Sequence, residues 1–259
     1  FIFVQYENLL NICYIKIIIA KKDIKSNIIT IFNRILIKNA MIINGLDDKA
    51  IIGKSILIED KKIKQISDNI KEEDNMLVID GKGKVVMPGM IDCHIHIDLG
   101  ADVSFPGAIL EEPTPMFAIR ATERIGRYLP AGFTTVRING GLENLATSLR
   151  DAIKIGIIPG PRVVAAGQYL SITSGHGEFF NPWVRIKENM AEIVDGPEEI
   201  RKAIRKQVLN KVDVIKFFST GGVSDPNSNP KAQEFTDDEL KMIMKESRRA
   251  FKRTSTHAH

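Results

Sequence analysis

The chain has 259 residues, 44% of them hydrophobic and 26% charged, with a net charge of +4. That is enough apolar material for a sizeable core, and it excludes disordered, collagen-like and disulfide-scaffold proteins. Basic and acidic residues are interspersed, so neither nucleic acid nor a membrane surface is expected as a partner, and two distant cysteines, Cys13 and Cys93, favour a reducing, cytoplasmic setting.

Phe1 to Ala20 is apolar, but Glu7, Asn8, Asn11 and Lys16 interrupt it. A spanning helix needs about 20 predominantly apolar residues, and a cleaved signal needs a basic start and a small-residue cleavage site. Neither pattern is met, and the chain does not begin with Met. Residues 1–33 therefore read as an upstream extension or a fragment boundary rather than a targeting segment.

Residues 34–88 read as short β-strands: ILIKNAMII, SILIED, KIKQIS, MLVID and KVVM. Turn chemistry breaks them at Asn44-Gly45, Asp60-Lys61 and Asp80-Gly81, which predicts a small sheet domain. After Pro88-Gly89 the rhythm changes to strand, helix, strand, helix, as parallel strands with helical crossovers require. MIDCHIHI is the first of these strands, followed by a helix over Pro113–Leu129 that Gly132 should close. FTTVRI is the second, and Leu142, Leu145, Leu149 and Ile153 then recur at helical spacing up to Gly156. RVVAAG is the third strand. Gln168 to Asp195 follows without clear periodicity and reads as a long functional loop. Pro197, Glu198 and Glu199 start a third helix with a stripe of Ile200, Ile204 and Val208; VDVIKFF is the fourth strand. Thr236 and Glu239 form a capping box for the fourth helix, and a fifth strand begins at Ser255. The expected fold class is α/β, a (β/α)8 TIM barrel cut short after about the fifth strand, since such barrels run to about 250 residues. A doubly wound sheet is disfavoured because two histidines stand where its Gly-rich phosphate turn belongs.

Those histidines carry the chemistry. In CHIHID a strand projects His94 and His96 to the same face, and two imidazoles at a strand end make half of a metal site. Taken alone, the pair is equally a couple of half-buried polar residues. Lys216 lies inside VDVIKFF, where an unpaired ammonium would lose several kcal/mol of hydration. Either its head escapes to water along a flexible stem, or its amine has become a carbamate able to bridge two metal ions. His257 and His259 repeat the alternating pattern at the fifth strand. His176, between two glycines in SGHGE, is either a ligand-facing residue or an ordinary loop histidine.

The segments VVMPGMIDCHIH, AGFTTVR, GPRVVAAG, SGHGE, VDVIKFFSTGG and the closing HAH together resemble the amidohydrolase superfamily, in particular its imidazolonepropionase-like enzymes and Xaa-Pro dipeptidases, from about Arg34 to the end. The resemblance implies an N-terminal β-sandwich part (34–88) beside a partial TIM-barrel hydrolase domain (89–259). It implies a binuclear centre, usually Zn2+ though another divalent metal would serve. His94 and His96 then bind one ion, a carboxylated Lys216 bridges both, and His257 binds the second, with His259 as the fallback. The family also uses a histidine from the sixth strand and an aspartate from the eighth as proton shuttle; neither is present, so no catalytic acid/base is assigned and the chain alone is expected to be inactive. Tyr169, Ser174 and His176 fall in loops where barrel enzymes set specificity. The implied activity is hydrolysis of C–N bonds in a small molecule, a dipeptide or N-acyl amino acid first. The alternatives are a cyclic amidase, a mononuclear deaminase or a catalytically incomplete fragment. A homo-oligomer of the full-length enzyme fits this reading.

Overall fold

In the computed structural model the described residues are 33–60, 62–98, 100, 107–181, 183–184, 189–223 and 228–259, with the short strands β1 (Ile2–Val4) and β2 (Ile18–Ile19). The extension proposed for residues 1–33 falls almost wholly outside them. The chain divides into two compact units, residues 1–90 with 128–134, and residues 91–127 with 135–259.

The first unit is built on β3 (Arg34–Ile42), β4 (Ile51–Glu59), β5 (Lys62–Ser67), β6 (Leu77–Asp80) and β7 (Val85–Pro88). The sheet runs β2-β1-β7-β3-β4-β5, and β6 pairs with β3. Strands β3, β4 and β5 form an antiparallel meander. Alternation then sorts the side chains: Ile37, Ile42, Ile56, Ile58 and Val86 cluster together, whereas Leu36, Leu57 and Met76 form a separate cluster. Because Leu36 pairs with Leu57 and Ile37 with Ile56, both faces of the central pair are apolar and buried. Each fully buried aliphatic side chain there contributes about 1.5–3 kcal/mol.

The second unit alternates strand and helix: β8 (Met90–Ile95), α1 (Gly107–Glu111), α2 (Thr114–Gly126), β9 (Phe133–Ile138), α3 (Leu145–Lys154), β10 (Arg162–Ala165), β11 (Tyr169–Ser171), β12 (Ala191–Ile193), α4 (Pro197–Leu209), β13 (Val214–Phe218), α5 (Asp237–Arg249) and β14 (Arg253–His257). One parallel sheet runs β10-β9-β8 and another β12-β11-β13-β14. A parallel bridge between Ala166 and Val214, with Asp213 N donating to Ala165 O at 2.7 Å, joins them. The sequence order β8-β9-β10-β13-β14 is thereby kept in space, without the reversal of a doubly wound sheet. Helices α4 and α5 cover β13 through Ile200, Ile204 and Ile243, which pack with Leu170, Ile215 and Phe217. Val214, Lys216 and Phe218 point to the opposite face.

Three local expectations are corrected. The helix after β8 stops at Gly126, and Gly132 (φ 93°) belongs instead to a turn closed by Phe133 N to Tyr128 O at 3.0 Å. The physical reason is Pro130, which disfavours helical backbone in the residue before it. The stretch from Gln168 to Asp195 contains β11 and β12, each of three residues and so too short to show a period. The fifth strand begins at Arg253, two residues before Ser255.

The capping box is present: Glu239 accepts from the Thr236 backbone N–H and hydroxyl, both at 2.8 Å. Its other oxygen accepts from Gly196 N at 2.7 Å, tying the start of α4 to that of α5. Further along, the buried Glu246 accepts from Arg205 Nε of α4 (2.7 Å) and from Arg249 Nη2 (2.7 Å). Hydrogen bonding from Arg249, then from Arg205, outweighs burial and holds the Glu246 carboxyl at about 2. A depressed folded pKa contributes stability above the unfolded value of about 4.3 and loses it as pH falls towards the folded value. The melting temperature is therefore expected to drop between about pH 4.5 and 2, and Glu246→Gln should flatten that slope. Both arginines are more than half exposed, so the same variant should lose only about 1 kcal/mol at neutral pH. An unchanged acid limb in thermal melts would rule this pair of ion contacts out as its cause.

Candidate metal centre

Every residue of the site lies in the second unit. His94 lies on β8 and His96 just past its end, with their Nε2 atoms 3.3 Å apart. Two imidazoles on a tetrahedral ion at about 2.0–2.1 Å hold their nitrogens roughly 3.3–3.4 Å apart, so this spacing fits one ion. His96 Nδ1 lies 3.1 Å from Gly140 O, and a carbonyl only accepts, so Nδ1 carries the proton and Nε2 is left with its lone pair. The strand end is braced from behind: the buried Arg124 donates to Ile97 O and Asp98 O at 2.9 and 2.8 Å. The Asp98 carboxylate accepts from Leu142 N at 2.7 Å. A Cβ on Gly141 would sit 2.1 Å from that carboxylate, so only glycine allows the approach.

From β13 comes Lys216, 0% exposed and with no hydrogen-bond partner for its amine among the described residues. Its Nζ lies 5.2 Å from the Phe218 ring centroid. The sequence left open an escape to water; the burial closes that option. Burial first, then the charge of Arg137, brings the amine down to about 8. Lys216 in turn lowers His94, His96 and His257, in each case behind the larger effect of burial, and His257 falls to about 4. The charge of Lys216 thus reaches His94, His96 and His257, and each of these three is held below the ordinary histidine value.

His257 ends β14, and His259 follows it by two residues. His257 and His259 have their Nε2 atoms 3.0 Å apart. The backbone is stapled to the end of β13: Ser219 N and Oγ both donate to His257 O, at 3.0 and 2.9 Å, and His259 N donates to Thr220 Oγ1 at 3.1 Å. The His176 ring stacks on His257 (centroids 5.1 Å, interplanar 28°) and meets Phe218 edge-on at 4.7 Å. Tyr169 lies on β11 rather than in an open loop; it is 3% exposed, 6.3 Å from the His96 ring and 4.8 Å from Phe218. Its phenol is raised well above the ordinary value, by burial and then by Asp98. Ser174 has left-handed backbone (φ 63°) and donates its N–H to Glu178.

The structure thus brings together His94, His96, Lys216, His257, His259, His176 and Tyr169. Among the described residues, no three His, Cys, Asp or Glu side chains by themselves form a metal cluster. The arrangement is two histidine pairs and a buried lysine. The fit to metal is tested on the buried Lys216 amine and on the His94 and His96 Nε2 atoms, whose 3.3 Å spacing matches two ligands of one ion. Sequence reading missed Phe218, the aromatic wall shared by Tyr169, His176 and His257; its i+2 spacing from Lys216 was the available signal. It also missed Gly140, whose role depends on a contact 44 residues distant.

The site is thus a parallel α/β unit that gathers two histidine pairs and a buried lysine. The amidohydrolase family profile matches residues 85–259, and the chain belongs to that family. It is 32% identical over 195 residues to the ochratoxinase of Aspergillus niger, covering 68% of this chain and 39% of that protein. A solved prolidase in complex with N-methylphosphonate-L-proline has TM-score 0.77 and 29% identity, over 87% of this chain and 56% of that one. A Xaa-Pro dipeptidase with methionine in its active site has TM-score 0.76 and 28% identity, over 87% and 57%. The chain therefore spans about two fifths to under three fifths of the length of these relatives. No described helix is long and apolar enough to cross a membrane.

Proposed function

We propose that the complete protein is a metal-dependent hydrolase of amide-like C–N bonds, acting on a dipeptide or an N-acyl amino acid. The observation that carries this reading is Lys216, a fully buried amine without a hydrogen-bond partner among the described residues, set among histidines whose ring nitrogens converge in pairs. In this reading the sequential parallel strands are the first five of a (β/α)8 barrel, residues 34–88 belong to a β-sandwich, and the enzyme works in the cytoplasm.

His94 and His96 would hold one divalent ion, preferentially Zn2+, and His257 a second, with His259 as its substitute. Bound ions supply Lewis acidity towards water and the scissile carbonyl. Lys216 would take up CO2: its neutral amine would attack the carbon and give up one N–H proton to solvent, leaving a carbamate anion that could serve as a further ligand. Gly140 fixes the His96 tautomer, so no proton has to leave that ring before it ligates. Tyr169, Phe218 and His176 form a wall of rings that limits water and shapes the substrate pocket. None of these residues is assigned the part of proton shuttle.

The test is hydrolysis by the complete protein, supplied with Zn2+ and bicarbonate, of Xaa-Pro dipeptides and N-acyl amino acids. Turnover of either class is expected, with a metal content near two ions. Two bound ions without turnover of either would overturn the substrate class, and one ion with release of ammonia from an aminated ring would point to a deaminase.

A further inference from the structure

His176 is gripped through its backbone. Its N–H donates to Glu234 Oε1 at 2.5 Å, and its carbonyl accepts from the Ser171 hydroxyl at 2.6 Å. Ser171 is 0% exposed and sits on β11; Glu234 comes from the loop between β13 and α5. That loop is itself anchored, because Glu234 N donates to Ser219 O at 3.0 Å, and Ser219 is the residue that staples His257. A Cβ on Gly222 would fall 2.2 Å from His176 Cε1, so the imidazole occupies space that only a glycine at 222 leaves open. The loop carrying His176 is also closed on itself, with the Thr173 backbone N–H and hydroxyl both donating to Asp195.

We infer that Glu234 is a positioning residue which, together with Ser171, locks the His176 imidazole in its stack on His257. Two separate loops, the one after β11 and the one after β13, are thereby joined at the ring that touches a proposed metal ligand. The inference rests on the reading of His257 as a ligand and His176 as a wall of the pocket. A charged acceptor on a backbone N–H is roughly twice as strong as a neutral one, and it fixes a loop at the point where the side chain leaves it. An ordinary surface carboxylate tie would leave the ring stack unaffected by its loss.

The experiment uses the complete protein carrying isotope-labelled histidine rings, observed by NMR at one pH, alongside steady-state kinetics. In Glu234→Ala the ring resonances of His257 should shift in the same direction as in His176→Ala, and KM should rise on the order of ten-fold with kcat less affected. Glu234→Gln should restore the wild-type positions, since an amide oxygen accepts the same N–H. Should Glu234→Ala fail to fold, Ser171→Ala removes the other anchor and should move the same resonances. His257 resonances that coincide with wild type in the folded alanine variant would overturn the inference, as would a glutamine variant as displaced as the alanine one. The ring shifts do not depend on which substrate is turned over, so a wrong substrate class shows in the kinetics alone.

Discussion

Lys216→Met is expected to raise the melting temperature of the protein freed of metal and CO2 while abolishing its activity when both are supplied. Met has nearly the volume of Lys and no charge, and position 216 is fully buried with every residue of β13 around it buried as well. A buried polar group without a partner costs about 1–3 kcal/mol, and an apolar side chain of similar size removes that cost. At this chain length each kcal/mol shifts the melting temperature by about 2–4 °C. The functional effect runs the other way. Without an amine no carbamate can form, so under the proposed reading the bridge would be lost and at least one ion released. Loss of transition-state stabilisation worth several kcal/mol lowers turnover by at least about 10³-fold. Wild-type activity should in turn depend on bicarbonate after CO2 is stripped. A Lys216→Met protein that is less stable than wild type under metal-free conditions would mean that the amine has a compensating partner; one that keeps both ions and its turnover would remove the bridge from the mechanism.

Replacing His94 and His96 together by Ala is expected to empty the first ion position with little damage to the fold. His94 is exposed and His96 only half-buried, so stability should change by no more than about 1 kcal/mol. Elemental analysis should show the loss of metal, and activity should fall by at least about 10³-fold in parallel. His96→Ala alone should do most of this damage, because His96 is the ring whose tautomer the Gly140 carbonyl fixes. Unchanged metal content in the double variant would sink the assignment of this pair.

Much of this was legible before folding was considered. Strand alternation is a property of the backbone, so CHIHI and VIKFF announce which side chains share a face. The capping box of α5, the Pro197 start of α4 and the β13 stretch around Lys216 are local in the same sense, and each stands where its residues indicate. Strands of three residues, such as β11 and β12, contain too few side chains to express a period, and a turn such as Tyr128–Phe133 competes with the helix before it through a single proline.

What the sequence by itself determined is the set of chemical groups and the face on which each one stands: paired imidazoles at the ends of β8 and β14, an amine on an apolar strand, and the family to which their motifs belong. What only the tertiary structure decided is how those groups meet. Burial removed the lysine's route to water, Gly140 selected the His96 tautomer from 44 residues away, and Glu234 reached His176 across 58. The division has a physical reason: facing follows from the dihedral geometry of one strand, whereas desolvation and hydrogen-bond partners come from segments that sequence spacing keeps apart and only packing brings within three ångströms or so.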